Sequence, residues 1–229
     1  MTDDVLLTIL IVLPFVGSLL AATFRPNARN SEAWLAGGVA LVCLFLLISA
    51  YPAIVEREVL RSEAEWIPAL GLGFSLRLDG FAWMFALLVT GIGFLVVLYA
   101  RYYMSPNDPV PRFFSFLLAF MGSMLGIVIA GNLIILLFFW EMTSIFSFLL
   151  IGYWNHTAGA RDGARMALVV TGFGGVALLA GVVLIGQIVG SYDLDQVLAS
   201  GEAIRSHVLY LPALVLILVS VLILALIET

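Results

Sequence analysis

The sequence predicts an all-α polytopic membrane protein with about seven transmembrane helices and a short outer-surface β-hairpin between the second and the third. Three observations carry that expectation. Of the 229 residues, 63% are hydrophobic and 11% charged, and mean hydropathy is +1.15. Apolar runs of about 18 residues or more recur along the chain, and a run of that length spans a bilayer core. Between two of the runs, a polar stretch alternates apolar and polar residues with the period of a strand.

The first run, Val5–Thr23, follows an acidic start, Met1-Thr-Asp-Asp4. A signal peptide opens with a positively charged region before a short apolar core, so this run reads as a retained helix. The second span is Trp34–Val55 and the third Phe81–Tyr102. Between them Phe74, Leu76 and Leu78 alternate with Ser75, Arg77 and Asp79, after Pro68, Gly71 and Gly73, which predicts a hairpin within about 56–80. Spans four to seven are Phe113–Ala130, Leu133–Tyr153, Ala164–Val189 and Leu209–Ile227. The polar stretch Ser191–Ser206 predicts one short amphipathic helix, Asp193–Ala203. Two portions result: 1–112, with three helices and the hairpin, and 113–229, with four helices.

Every basic residue is an arginine; there is no lysine. With the N-terminus outside, inner loops hold Arg25, Arg29, Arg101, Arg112, Arg161 and Arg165, and outer loops Arg57, Arg61, Arg77 and Arg205. That bias favours an outer N-terminus. The net charge of −5 resides in loops and points to no nucleic-acid partner. Cys43, the single cysteine, lies in an apolar run and reads as a buried small hydrophobe. No cofactor or metal ligand set is visible.

One residue breaks the apolar pattern in the middle of a span. Glu141 lies near the middle of the fifth span, about 12 Å from Leu133 and about 18 Å from Tyr153 at 1.5 Å per residue. A charge at mid-bilayer costs about 2.5–3.5 kcal/mol, and intramembrane carboxyls mark ion pathways. Glu141 is therefore the candidate for proton or ion translocation. The alternative is a neutral carboxyl bonding two helices. Ser144 shares its face one turn on, and Thr143 and Ser147 stack beside it. Trp140 either shields the carboxyl from water or simply packs.

The sixth span holds Gly172, Gly174, Gly175, Gly181, Gly186 and Gly190. Gly172-Phe-Gly174-Gly-Val-Ala177 matches the dinucleotide fingerprint by letter, but that motif requires a preceding strand and a βαβ unit. Small residues four apart, such as Thr171 and Gly175, instead let helices approach closely. His156, Arg161, Asp162 and Arg165 lie between spans five and six. They read either as solvated charge that sets topology or as the access point for protons bound for Glu141. His207, at the mouth of the last span, carries the same two readings. Asn155-His-Thr157 is a glycosylation sequon on the predicted inner side and is discounted.

The run Phe139-Trp-Glu-Met-Thr-Ser144, continuing through Ser147-Phe-Leu-Leu-Ile-Gly-Tyr-Trp154, resembles the fifth transmembrane helix of the large A subunit of Mrp-type multisubunit cation/proton antiporters. Arg77-Leu-Asp-Gly80, Leu87-Leu-Val-Thr-Gly-Ile-Gly93, Leu98-Tyr99 and Tyr102-Tyr103 are similar to its third helix and the preceding hairpin. Ala164-Arg-Met-Ala-Leu168, Thr171-Gly172 and Ile188-Val-Gly-Ser-Tyr192 resemble its sixth. More distantly, the fold is shared with antiporter-like proton-pumping subunits of respiratory complex I and of membrane-bound hydrogenases.

The resemblance implies that Glu141 is the acidic member of a glutamate–lysine pair in a proton-gradient-driven exchanger of Na+ or another monovalent cation against H+. A nearby cation favours the charged form of a carboxyl and desolvation disfavours it, so moving the partner switches the pair. Family members build their channel from inverted repeats of five helices starting at the fourth, which makes 113–229 an incomplete first repeat. Where the family's seventh helix carries its lysine, this chain reads Leu218-Val-Ser-Val-Leu-Ile-Leu-Ala-Leu-Ile-Glu-Thr229. The expected partners are other small hydrophobic subunits, a chain or region supplying further helices and the lysine, Na+ and H+, and the lipid of a bacterial plasma membrane. Two other readings stand beside it: a proton-pumping arm of a complex I-type dehydrogenase or hydrogenase, and a truncated scaffold subunit.

Overall fold

The computed structural model describes residues 2–24, 29–56, 58–67, 72–105 and 108–225. In chain order these form α1 (Asp3–Ala22), α2 (Arg29–Ser49), α3 (Tyr51–Val55), β1 (Leu60–Ile67), β2 (Leu72–Leu78), α4 (Gly80–Tyr103), α5 (Val110–Val128), α6 (Leu133–Ile151), α7 (Ala158–Val189), α8 (Leu194–Ala199), α9 (Gly201–Ser206) and α10 (Tyr210–Ala225). Six helices, α1, α2, α4, α5, α6 and α7, are long and apolar enough to cross a membrane. The seventh expected span corresponds to α10, a shorter apolar helix. The strands pair as the expected antiparallel hairpin. Leu76 and Leu78 are buried, as the alternation requires. Pro68 and Gly71 lie outside the described residues.

Helix boundaries follow local chemistry. The Asp79 side chain accepts the Ala82 N–H at 2.8 Å and so caps α4. Its carboxylate also pairs with the Arg77 guanidinium at 2.5 Å. Burial pushes the Asp79 carboxyl up, but the Ala82 N–H and Arg77 outweigh it and hold the group below the usual aspartate range. Pro52 has no N–H to continue the ladder of α2, and the chain turns at Ala50 before re-entering helix as α3. Thr157 caps α7, which therefore begins six residues before the expected span. Gly190, at φ 77°, ends it in the left-handed conformation that glycine adopts without strain.

One expectation is corrected. The single helix expected over Asp193–Ala203 is two short helices, α8 and α9. Ser200 leaves helical geometry at ψ 18°, and its hydroxyl donates to the Gln196 carbonyl at 2.8 Å. Such back-bonding, followed by Gly201, breaks the ladder.

The chain divides into two compact units. Unit 1 comprises 1–63 and 76–129. In it α1 packs on α5 and α2, and α4 on α2 and α5. Bilayer lipid is as apolar as leucine, so close contact rather than water exclusion holds such helices together. Gly17 of α1 admits the Val39 and Leu118 side chains, and Gly122 of α5 admits Pro14 and Phe15. The Ser18 and Ser115 hydroxyls hydrogen-bond across α1 and α5 at 3.1 Å. The Trp83 indole N–H donates to the Leu47 carbonyl at 2.7 Å, joining α4 to α2. Cys43 is buried in α2 and unbridged.

Unit 2 comprises 64–75 and 130–229. Here α7 is the common element, packing on α6 and α10. At about 48 Å for its 32 residues, α7 exceeds a hydrocarbon core of about 30 Å, so its polar first turns extend beyond the core.

Candidate ion-translocation site

The start of α6 is held by a short network. The Asn132 side chain caps the helix through the Ile134 N–H at 2.8 Å. The Leu133 N–H donates to the Tyr192 carbonyl, and the Leu194 N–H to the Gly131 carbonyl, both at 2.9 Å. The Gly131 N–H reaches the Ser75 carbonyl of β2 at 2.9 Å. A side chain at 131 would meet Ser75 Oγ at 2.9 Å, so a glycine is needed for this approach. Phe74 packs edge-on against buried Phe139, with ring centroids 6.3 Å apart. From this anchored end, Glu141 is eight residues along α6, about 12 Å.

Glu141 is half-buried. Its carboxyl lies against Gly175 of α7, in the volume that a side chain at 175 would fill. Neither neighbouring hydroxyl bonds to it. Thr143 Oγ1 donates to the Trp140 carbonyl at 2.7 Å and Ser144 Oγ to the same oxygen at 3.3 Å. Among the described residues no cation or donor pairs with the Glu141 carboxylate. A carboxyl in this setting is free to exchange a proton or to meet a mobile cation.

The other sequence candidates are not at Glu141. His156 lies in the turn joining α6 to α7, and Arg161, Asp162 and Arg165 are in the first two turns of α7, all four exposed. Arg161 donates to the Asn155 carbonyl at 2.9 Å across that turn. Arg165 precedes Gly175 by ten residues, about 15 Å along the helix axis. His207 is exposed, and its Nδ1 accepts the Leu209 N–H at 3.1 Å, which closes the turn into α10. Among the described residues no three His, Cys, Asp or Glu side chains converge on a metal site.

Two further residues stand out in the structure. Gly175 reads in the sequence as helix packing; its distinguishing property is the carboxyl that it accommodates. Glu32 sits in the first turns of α2, fully buried, with both carboxylate oxygens unbonded among the described residues. It begins the buried stripe Glu32, Ala36, Val39, Ala40, Cys43 and Leu47, whose helical spacing was its only signal.

Two family models match the chain. Residues 66–114 match the N-terminus of NADH-ubiquinone oxidoreductase (complex I) chain 5. Residues 130–226 match the transmembrane region of NADH:quinone oxidoreductase and Mrp antiporters. Among curated relatives, the probable K+/H+ antiporter A/B protein of Rhizobium meliloti is 58% identical over 95% of this chain and 22% of its own length. The A1 component of a Na+/H+ antiporter of Staphylococcus haemolyticus is 37% identical over 93% of this chain and 27% of its own. The chain thus spans about a quarter of the length of these relatives. The solved Mrp complex of Dietzia sp. DQ12-45-1b superposes over the full chain and 24% of the matched chain, with TM-score 0.77 and 28% identity. The chain belongs to the NADH:quinone oxidoreductase/Mrp antiporter family and is similar to the N-terminal part of its large Mrp-type A subunit.

Proposed function

We propose that the chain forms part of a monovalent cation/proton antiporter, in which Glu141 carries protons along the translocation path. The observation that carries this reading is a mid-span carboxyl, half-buried and unbonded among the described residues, in a chain 58% identical to a K+/H+ antiporter component. The proton gradient drives exchange. Potassium is the first cation to test and sodium, named for the more distant relative, the second. Residues 1–112 act as the N-terminal helices with their hairpin, and 113–229 as the first part of a repeat. His156, Arg161, Asp162 and Arg165, at the exposed start of α7 and the turn before it, mark the point where protons enter. The cation that faces Glu141 is a lysine outside these 229 residues, and other hydrophobic subunits complete the assembly.

In vesicles holding the assembled antiporter, Glu141→Gln is expected to abolish cation-induced collapse of a preset pH gradient, and Glu141→Asp to leave a residue of it. Normal exchange by the Gln variant contradicts the proposal. A complex I-type proton-pumping arm is the second reading, favoured by the match at 66–114. Co-purification with flavin or iron–sulfur subunits would select it.

A further inference from the structure

The glycines of α7 divide by what a methyl group in their place would meet. At Gly174 it would approach the Ser220 carbonyl of α10 at 3.3 Å, and at Gly181 Ile217 Cγ1 at 2.7 Å. Those two glycines serve helix packing. At Gly186 it would strike the Tyr192 ring, and at Gly172 it would meet nothing within 4 Å. At Gly175 alone among these it would meet the Glu141 carboxyl, coming to 2.8 Å from Cδ and 3.3 Å from Oε2 and overlapping Oε1. No hydrogen bond among the described residues competes for that carboxyl, because Thr143 and Ser144 are both turned onto the Trp140 carbonyl.

We propose that Gly175 is a positioning residue for Glu141: its missing side chain forms the niche that receives the carboxyl and fixes where on α6 the proton is exchanged. This rests on the reading of Glu141 as the proton carrier. Side-chain bonding does not set the carboxyl's location, so the shape of the facing helix must. A methyl at 175 displaces the carboxyl while leaving its charge and its helix in place. A misplacement of about 1 Å can cost about 100-fold where groups must meet in register. One residue earlier, a methyl at 174 would face Ser220 and Ile223 of α10 instead.

The test measures exchange and its pH profile in vesicles holding the assembled antiporter, with subunit content checked for each variant. Gly175→Ala is expected to lower exchange by about tenfold or more and to shift the pH optimum. Gly172→Ala is expected to stay within about twofold. The decisive variant is Glu141→Asp/Gly175→Ala. The shorter acid withdraws from the methyl, so the alanine should cost nothing in the aspartate background. An equal cost in both backgrounds, or wild-type exchange by Gly175→Ala while Glu141→Gln is dead, overturns the inference. Normal exchange by Glu141→Gln instead defeats the reading of Glu141 beneath it. If Gly175→Ala does not assemble, the double variant still decides: regained assembly supports the niche, and continued loss overturns it.

Discussion

Unit 1 closes completely over its carboxyl Glu32, whereas unit 2 leaves Glu141 half-buried in a gap on α7. Neither group has a hydrogen-bond partner among the described residues. The difference is burial within the chain. Glu32 lies in a stripe of α2 that is buried from end to end, in the unit where Gly17 and Gly122 bring helices into close contact. Glu141 is on a helix with few buried residues, beside an α7 that is exposed along much of its length. A carboxyl that moves protons must meet them from outside its own packing. In the proposed reading Glu141 is the working group, and Glu32 is part of the packing.

The largest expected effect separates the two units by readout. Glu141→Gln should reduce exchange to background without changing the quantity of assembled protein. In unit 1, Gly122→Ala should do the reverse. Its methyl meets Pro14 Cβ and Phe15 Cε2 at 3.1 Å, and overpacking of this kind costs about 1–3 kcal/mol. Thermal loss of assembled protein in detergent measures it. Gly38→Ala, whose methyl meets nothing within 4 Å, should be neutral or stabilising by the same assay. If both alanines behave alike, close packing does not distinguish unit 1.

A smaller effect is expected where the hairpin enters α4. Asp79→Ala removes the cap and the Arg77 pair, at a cost of about 1 kcal/mol. The Asp79 carboxyl is held below its usual range. Its contribution is therefore complete above the unfolded value of about 3.9 and is lost only as pH falls through the lower folded value. The difference between wild type and Asp79→Ala in thermal stability should thus be constant between pH 8 and pH 5, on the order of the cap energy. A difference that fades near pH 6 would contradict this assignment.

Much of this arrangement was legible in the sequence where polarity changes abruptly. Asp79 and Asn132 stand as caps at the starts of α4 and α6, and both helices begin within a residue of the expected positions. The start of α7 was hidden because Arg161, Asp162 and Arg165 interrupt the hydropathy while the helix continues through them. The division of α8 from α9 depends on one hydroxyl turning back at Ser200, which no periodicity records. Glu141 stood out because charge is costly within a span. Gly175 did not, because a glycine's role depends on what occupies the space beside it, here a side chain 34 positions earlier. Glu32 is inconspicuous in the sequence because it adjoins a polar helix start, where an acid looks solvated.

The smallest expected effect, set against the largest, gives the most direct test. Gln keeps the volume of Glu32 and removes a titratable group that has no partner among the described residues, so Glu32→Gln should exchange within about twofold of wild type. Exchange by Glu32→Gln and Glu141→Gln should be measured side by side, in vesicles of matched subunit content, for K+ and for Na+. Retained exchange in the first and none in the second is the predicted result. Exchange retained in Glu141→Gln, or lost in Glu32→Gln with assembly intact, would contradict the account.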